Sequence, residues 1–372
     1  MASNSVAPQS TSRFYRPELD VLRFVAFLIV YLTHTIPDGP GSPRWVLALS
    51  NATGFGVQVF FALSAYLITE LLTSEKHITG SLNAPAFYAR RILRIWPLYF
   101  FALGAGFLFS RLHPAGAIPV PALAAYLLLV GNWYTSRYGY LAFAIGPLWT
   151  ISVEEQFYLL LPMLVRYLTR RNLAIVCCAG WACSQIVLIS LCARHVLFEP
   201  TIWTNSLVQL QYFALGAGVS LFLNGSAPKI SGSLRGLMIG SAFLLLFAAD
   251  FVLNPDRTDG LTSVAHTYPE MLLVGVAVTL MLVGFLNWSF FDGWRRVRYL
   301  GKISYGLYVY HLPCLTVVSK IVVRLMGHDS PLAVFALGLP LTIGIAAISY
   351  RYFESPFLRL KERFEIVKSR AV

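Results

Sequence analysis

The chain has 372 residues, of which 57% are hydrophobic and 12% charged, and its formal net charge is +12. A water-soluble domain of this size would carry about twice that charged fraction, so the composition excludes a soluble enzyme. Apolar runs of about 20 residues recur along the chain, each long enough to cross a bilayer. The excess of lysine and arginine therefore indicates membrane topology, and no nucleic-acid partner is expected.

Apolar segments follow one another from end to end, at 19–37, 52–73, 93–110, 120–134, 147–167, 172–191, 205–223, 234–253, 270–287, 302–324 and 331–352. Basic residues before the first and after the last predict that both termini are cytoplasmic, which requires an even number of crossings. The shortest segment, 120–134, is therefore predicted to be re-entrant or interfacial. The sequence thus predicts an all-α polytopic membrane protein with about ten transmembrane helices plus this short segment. A membrane domain at 19–355 would lie between cytoplasmic tails at 1–18 and 356–372, the latter basic.

The first segment carries two ionisable side chains on one helical face. Arg23 and His34 are eleven residues apart, which places them within ~20° of each other and about 16 Å apart along a helix. Ionisable groups are costly inside a bilayer, so an aligned pair indicates a functional site. The alternative is that Arg23 extends to the interface and His34 hydrogen-bonds a neighbouring helix.

The third segment opens with an arginine cluster. Arg94 follows Arg91 by three residues and Arg90 by four, so the three share a broad helix face. Guanidinium groups bind phosphate through paired donors, which predicts a site for phosphate or phosphoanhydride groups. A simple positive-inside anchor is the alternative.

Two adjacent carboxylates, Glu154 and Glu155, lie near the start of the fifth segment, at a depth compatible with His34. A carboxylate beside an imidazole orients it and raises its basicity, as in a general base for a hydroxyl. We expect at least one of the two, with Glu154 preferred, to face His34. A hydrated interfacial pair is the alternative.

The tenth segment carries a polar stripe, because Ser304, Tyr308 and His311 follow i, i+4, i+7 spacing. We interpret His311 as structural or path-lining rather than catalytic. The cysteines lack paired metal-ligand spacing, so no metal site is predicted. Ser64 lacks the glycines of a nucleophile elbow and is not predicted to be a nucleophile.

Taken together, these segments resemble the acyltransferase-3 family of bacterial integral membrane O-acyltransferases. The blocks in the family's order are Arg16 to Arg23 with His34, Gly54 to Ile68, Arg91 with Arg94, Leu148 to Tyr158, Ile303 to His311, and Tyr352 to Pro356. Two departures are Ala65, where the family commonly has glycine, and Thr150, where it commonly has serine. The SGNH-type extension of some members is expected to be absent.

The resemblance implies acyl transfer, usually of acetyl, from cytoplasmic acyl-CoA to a hydroxyl of an outward-facing carbohydrate, glycolipid or glycosylated small molecule. The protein would lie in the bacterial cytoplasmic (inner) membrane, with acyl-CoA as substrate and no tightly bound cofactor. His34 would be the general base, supported by Glu154 or Glu155, and an acyl-histidine intermediate stays open. The expected donor-binding residues are Arg23, Arg90, Arg91 and Arg94, and Arg23 is also expected to be one of the catalytic residues. The expected substrate path is lined by Asp20, Trp149, Ser152, Tyr158, Ser304, Tyr308 and His311.

A multi-pass transporter is the alternative function. His34, Glu154 or Glu155, and His311 would then form a proton relay or a substrate path. A transporter predicts inverted repeats with broken helices in matching positions, and the sequence shows no such repeat. The ordered blocks therefore favour an enzyme.

Overall fold

The computed structural model describes residues 15–37, 41–112, 117–141, 143–253 and 260–365. Its helices are α1 (Pro17–Thr33), α2 (Arg44–Gly54), α3 (Gly56–Thr79), α4 (Ala84–Leu112), α5 (Val120–Leu127), α6 (Gly131–Tyr138), α7 (Trp149–Tyr167), α8 (Arg170–Cys192), α9 (Ser206–Leu223), α10 (Gly232–Leu253), α11 (Thr267–Phe285), α12 (Arg295–Lys302), α13 (Ser304–Met326), α14 (Pro331–Ser349) and α15 (Ser355–Lys361). Short 3₁₀ and π turns join several of them, at Phe143–Leu148, Phe198–Ile202, Ser289–Phe291, Tyr350–Glu354 and Glu362–Phe364. The described chain is thus helical, with one isolated antiparallel bridge between Leu197 and Leu261.

Within the described residues, eight helices are long and apolar enough to cross a membrane, with α2 joined to α3 and α14 joined to its C-terminal continuation. Two further helices coincide with predicted spans but fall outside this set. α1 has only 17 residues, and α7 carries Glu154, Glu155 and Arg166. The prediction of an all-α polytopic membrane protein is confirmed, and these ten helices match the ten predicted spans. The cytoplasmic location of the termini stays a prediction.

The segment at 120–134 behaves differently from the others. It forms α5 and the start of α6, two helices of eight residues each. Eight residues of α-helix extend only about 12 Å, far less than the ~30 Å of a hydrocarbon core. The structure therefore agrees with the prediction that this segment does not cross the bilayer as one helix.

Helix α3 lies at the centre of the bundle, where it packs against α1, α7, α9 and α11. Its approach to α9 depends on a glycine, because a Cβ on Gly216 would lie 2.0 Å from the carbonyl oxygen of Ala62. Small residues allow membrane helices to approach this closely, which increases dispersion contacts along the interface. This packing fixes the position of α3, which contributes side chains to both cavities described below.

Helix α1 is held firmly at its beginning. Pro17 occupies the first turn together with Glu18 and Asp20, an arrangement that suits the positive end of the helix dipole. Glu18 Oε1 accepts a hydrogen bond from the Asn287 backbone N–H at 2.8 Å. A Cβ on Gly301 of α12 would lie 1.7 Å from the Asp20 carbonyl oxygen, so α12 touches α1 backbone to backbone. These contacts set the position of Arg23 one turn further on.

The C-terminal residues pack onto the bundle. Helix α15 lies against α4, and its Leu358 is buried in a cluster with residues of α13 and α14. The Arg90 guanidinium donates to the Phe364 carbonyl oxygen at 2.6 Å, which ties the following turn to α4 as well. Residues 356–365, predicted as the start of a tail, therefore belong to the folded bundle.

Candidate active site

Two cavities lie at opposite ends of α1 and adjoin in the middle of the bundle. The arginine cavity includes five basic and several polar side chains: Arg16, Arg23, Arg91, Arg94, Lys361, Ser64, Glu154, Tyr158, Ser304 and Tyr305. The histidine cavity includes one imidazole and mainly aromatic and polar side chains: His34, Asn51, Phe55, Tyr140, Trp149, Phe198, Glu199 and Trp203. Val57 of α3 and Tyr308 of α13 line both cavities. The two spaces therefore meet at this pair of residues.

Ion pairs hold two of the basic side chains in the arginine cavity. Arg23 donates to Asp20 at 2.7 Å, and Asp20, which is 1% exposed, also accepts a hydrogen bond from the Tyr15 hydroxyl at 2.8 Å. Arg16 pairs with Glu70 of α3 at 2.5 Å. Asp20 was predicted to line the substrate path, but its carboxylate is buried and orients Arg23.

Arg91 and Arg94 both reach the arginine cavity, as predicted from their spacing. The Arg91 guanidinium carbon lies 5.7 Å from the ring centre of Phe87 and 5.7 Å from that of Tyr158, which gives a cation–π contact with each ring. Its Nε is buried and has no hydrogen-bond partner within the described chain. Arg91 is therefore a cavity-lining cation held beside two aromatic rings.

Arg90 does not join its two neighbours, which corrects the predicted three-arginine cluster. It is 4% exposed and donates to Glu75 at 3.1 Å and to the Phe364 carbonyl oxygen at 2.6 Å. Consecutive residues of a helix point about 100° apart, so Arg90 and Arg91 face different partners. Arg90 links α3, α4 and the C-terminal turn instead of lining the cavity.

The two carboxylates of α7 also lie apart from the predicted position beside His34. Glu154 lines the arginine cavity, where it accepts a hydrogen bond from the Ser64 hydroxyl at 2.9 Å. Glu155 points to α4 and accepts from the Trp96 indole N–H at 3.0 Å. Trp149 lines the histidine cavity, and Glu154 lies five residues, or about 7.5 Å, further along α7. Because of this distance, Glu154 lies in the arginine cavity.

His34 caps the C-terminal end of α1 and is exposed to the histidine cavity. Its closest described ring neighbour is His311 of α13, with ring centres 5.2 Å apart. His311 is fully buried, and its Nδ1 lies 2.5 Å from the Tyr308 carbonyl oxygen. That contact suits a proton on Nδ1 and leaves Nε2, which has no partner among the described residues, as an acceptor.

The other predicted path residues are distributed between the two cavities and the core. Trp149 lines the histidine cavity, Tyr158 and Ser304 line the arginine cavity, and Tyr308 lies at the junction. The Tyr308 hydroxyl accepts a hydrogen bond from the Thr150 hydroxyl at 3.1 Å. Ser152 is fully buried and lies in neither cavity wall.

Several residues of the cavities were missed in the sequence, and three of them carry or contact charge. Ser64 was considered only as a nucleophile, whereas the structure makes it a partner of Glu154. Lys361 was assigned to a tail, and Glu199 lies in the turn between α8 and α9. Ser64 and Glu154 lie on different helices, so no spacing in the sequence relates them. Only the three-dimensional packing reveals that they form a pair.

The fold and the cavities define an integral membrane protein in which a cation-lined space adjoins a histidine-lined space. Residues 16–351 match the acyltransferase-3 family, whose domain is described as "Acyltransferase domain", and the chain belongs to that family. It is 27% identical to O-acetyltransferase OatA of Staphylococcus aureus (strain NCTC 8325 / PS 47), and 25% identical to the putative O-acetyltransferase SAR0937 of strain MRSA252. Each similarity covers 92% of this chain but 57% of the relative, so the chain spans little more than half the length of these proteins. No solved structure gives a significant match to the chain.

Proposed function

We propose that this chain is a membrane O-acetyltransferase of the bacterial cytoplasmic membrane. An acyl group, most simply acetyl, moves from acyl-CoA in the arginine cavity to a hydroxyl of a carbohydrate or glycoconjugate in the histidine cavity. The observation that carries the proposal is the meeting of a cation-lined and a histidine-lined cavity at Val57 and Tyr308. The family and the names of the relatives support O-acetyl transfer as the reaction.

The arginine cavity suits a polyanionic donor. Arg91 and Arg94 of α4 line this cavity together with Arg16 and Lys361, and their guanidinium groups offer forked donors that fit the diphosphate of CoA. The cavity is narrow, with a volume of about 190 Å³, so it suits the slim pantetheine arm and leaves the bulky nucleotide at the basic mouth. Arg23 and His34 are about 16 Å apart along α1, roughly the reach of that arm.

The direction of the helices supports a cytoplasmic position for the donor. Helix α7 passes from Trp149 in the histidine cavity to Tyr158 in the arginine cavity and ends near Arg166. Helix α13 runs the opposite way, from Ser304 in the arginine cavity, and its start follows the basic helix α12. Basic loops thus gather at the end of the bundle that holds the arginine cavity, and such loops remain cytoplasmic.

The proposed reaction uses His34 as general base. Its imidazole takes the proton of the acceptor hydroxyl as the oxygen attacks the thioester carbonyl carbon, so a C–O bond forms while the C–S bond breaks. CoA leaves as the thiol when the imidazolium returns that proton to sulfur. A positioned base of this kind contributes about 10²- to 10⁴-fold to the rate. His311, whose ring lies beside that of His34, is proposed to position it.

Glu154 takes a different part in the proposal from the one expected of it. Its hydrogen bond to Ser64 and its place in the arginine cavity put it on the donor side. There it offsets the positive charge of Arg91 and Arg94 and orders the wall along which the thioester passes. Support of the base then comes from His311 rather than from a carboxylate.

The test measures transfer of radiolabelled acetyl from acetyl-CoA in proteoliposomes, with a panel of saccharide and glycolipid acceptors. The native chain is compared with His34→Ala and with His328→Ala, which changes an exposed histidine in the loop after α13. We expect label on an acceptor with the native chain and with His328→Ala, but not with His34→Ala. Equal transfer by His34→Ala would overturn the role of the base. If no acceptor received label from acetyl-CoA, the proposed donor or the proposed reaction would be wrong.

A further inference from the structure

We propose that α12 and the aromatic turn before it bind the headgroup of an anionic phospholipid. The residues of this site, called the α12 surface, are Phe290, Trp294, Arg295, Arg296 and Arg298. None of them lines either cavity, and no step of the proposed reaction uses them. The lipid site and the proposed function can therefore be tested separately.

The α12 surface lies at one face of the membrane. Residues 286–303 connect the end of α11 to the start of α13, and both of these helices are long and apolar enough to cross a bilayer. Helix α12 has eight residues and extends only about 12 Å, so it does not cross the bilayer itself. The connection therefore stays on one side, at the level where phospholipid headgroups lie.

One side of α12 is fixed against the bundle. Gly301 is buried against the backbone of α1, and Val297 and Leu300 pack against hydrophobic clusters of the core. These three residues follow i, i+3, i+4 spacing and so share one face of the helix. The other side of α12 is thereby held in a fixed position toward its surroundings.

Three arginines of α12 lie outside this buried face. Arg295 and Arg296 are exposed, and Arg298 is half-buried. None of the three guanidinium groups has a hydrogen bond or an ion pair with any residue that the structure describes. A guanidinium group binds phosphate through paired donors, so three of them on one short helix suit a phosphodiester headgroup.

The charge around these arginines is mainly positive. Residues 286–303 contain four basic residues and one acidic residue, Asp292, which leaves a net charge of +3. Glu18 of α1 also contacts this connection, but it is buried and accepts one of its backbone N–H groups. The terminal stretches outside the described residues, 1–14 and 366–372, contain no aspartate or glutamate. An anionic ligand is therefore favoured over a neutral one.

Two exposed aromatic rings beside the arginines favour a lipid over a free anion. Phe290 and Trp294 are 57% and 42% exposed, with ring centres 5.5 Å apart. Each also packs on the buried Phe291 ring, at 5.2 and 5.3 Å, so both are held in place. Aromatic rings are enriched at the membrane interface, where they contact acyl chains and headgroups together. Aromatic anchors next to basic residues are typical of a membrane-surface element.

The experiment follows thermal unfolding of the full chain in detergent as a lipid probe is added. Dioctanoyl phosphatidylglycerol is the anionic probe, and dioctanoyl phosphatidylcholine offers the same chains without net charge. Inorganic phosphate tests for anion binding that needs no lipid. A ligand that binds only the folded state raises Tm according to its concentration relative to Kd, so each titration gives an apparent Kd.

The native chain is compared with two variants that lose the same charge. The test variant combines three changes on α12: Arg295→Gln, Arg296→Gln and Arg298→Gln. The matched control removes three exposed arginines from α7, α8 and α15: Arg166→Gln, Arg171→Gln and Arg359→Gln. A difference between the two variants therefore reports the α12 surface and not the total charge of the chain.

We expect the test variant to bind phosphatidylglycerol about 100-fold more weakly than the native chain, since each basic residue at a lipid surface contributes about fivefold. The control should stay close to the native value. Phosphatidylcholine should bind the native chain and the test variant equally, and inorganic phosphate should not raise Tm. Trp294→Leu should weaken the binding of both lipids by a similar factor, because the ring contacts lipid without regard to its charge.

Four results would overturn the lipid site. These are equal binding of the two lipids by the native chain, unchanged binding of phosphatidylglycerol by the test variant, an equal loss in the control, and a rise of Tm with phosphate as large as with phosphatidylglycerol. If the test variant does not fold, the native chain still decides the question, because salt screens the binding of a charged headgroup at an exposed site. Binding of phosphatidylglycerol that salt does not weaken would then exclude the proposed contact.

Discussion

The two cavities are built by different means, although the same helices line both. In the arginine cavity, charged side chains are held by ion pairs such as Arg16 with Glu70 and by stacking on rings. In the histidine cavity, ring-on-ring packing around Trp203 and the contact of His34 with His311 hold the wall. Under the proposed function, charge recognition and proton transfer would lie at different ends of the bundle. A polyanionic donor would then bind at one end without placing the cations of its site beside the proposed base.

The largest effect should come from the histidine end. His34→Ala is expected to lower the rate of acetyl transfer by about 10²- to 10⁴-fold, the contribution of a positioned base. The dissociation constant of CoA, measured by equilibrium binding in detergent, should change little, because the arginine cavity keeps its side chains. A loss of CoA binding in parallel with the loss of transfer would show that the two ends are not separable.

Arg90 can be compared with Arg91 and Arg94 of the same helix, which line the arginine cavity. We predict that Arg90 contributes to the stability of the fold and not to binding of the donor. Arg90 and Glu75 form a buried pair, with side chains 5% and 1% exposed. Arg90→Gln leaves the Glu75 carboxylate without its cation, which should lower the free energy of unfolding by about 3 kcal/mol. Thermal unfolding in detergent measures this, with Arg359→Gln, a change of an exposed arginine in α15, as control.

A double variant decides whether the pair itself is responsible. Glu75→Gln combined with Arg90→Gln removes both charges and should recover part of the lost stability. The CoA dissociation constant of the folded fraction should match that of the native chain. If Arg90→Gln bound CoA more weakly at unchanged thermal stability, this would instead show that Arg90 contributes to donor binding.

Much of the fold follows from the sequence, because hydropathy over about 20 residues reflects the thickness of the bilayer directly. The ten spans and the short segment at 120–134 are of this kind. Arg23, Arg91 and Arg94, which were predicted to bind the donor, line one cavity, and for Arg91 and Arg94 this follows from helical spacing, which fixes the residues that share a face. Their role in donor binding stays a prediction. The face is broad, however, and spacing alone could not show that Arg90 turns to Glu75.

Other parts of the site depend on the relative depth of helices, which spacing within one helix does not determine. The sequence placed Glu154 near the level of His34, whereas a shift of little more than one turn puts it beside Ser64. Glu199 gave no signal, because a single carboxylate in a loop looks like ordinary surface. Its turn reaches the cavity through contacts that are distant in sequence, among them the bridge between Leu197 and Leu261 and the hydrogen bond from Ser136 to the Thr201 carbonyl oxygen.

At the arginine end, a smaller effect confined to the donor is expected. Arg94→Gln removes one charge-assisted contact to phosphate and should raise the CoA dissociation constant about 10- to 150-fold, since such bonds contribute about 1.5–3 kcal/mol. The KM of the acceptor should not change. Arg166→Gln, at the same end of the bundle but exposed, is the control. An equal loss in both variants would mean that general positive charge, and not the cavity, attracts the donor.

The smallest expected effect is at the junction. The Thr150 hydroxyl lies 3.1 Å from the Tyr308 hydroxyl oxygen and 3.0 Å from the Pro147 carbonyl oxygen, and its one proton can be donated to either. Tyr308→Phe keeps the ring and leaves that carbonyl satisfied, so only about 0.5–1.5 kcal/mol is at stake. If the thioester passes this point, the loss should appear as a two- to tenfold fall in kcat, with unchanged CoA dissociation constant and unchanged acceptor KM.

Tyr310→Phe provides the comparison for this last change, since it removes a similar hydrogen bond, from Tyr310 to Ser349 at 3.1 Å, on the same helix but away from both cavities. It should lower the thermal stability slightly and leave kcat unchanged. Among the described residues, Val57 and Tyr308 line both cavities, and of these two only Tyr308 is polar. Tyr308→Phe therefore removes a hydroxyl from the proposed path of the acyl group. Equal kcat values for the two variants would mean that the acyl group does not pass between Tyr308 and Val57, and that the two cavities serve separate ligands.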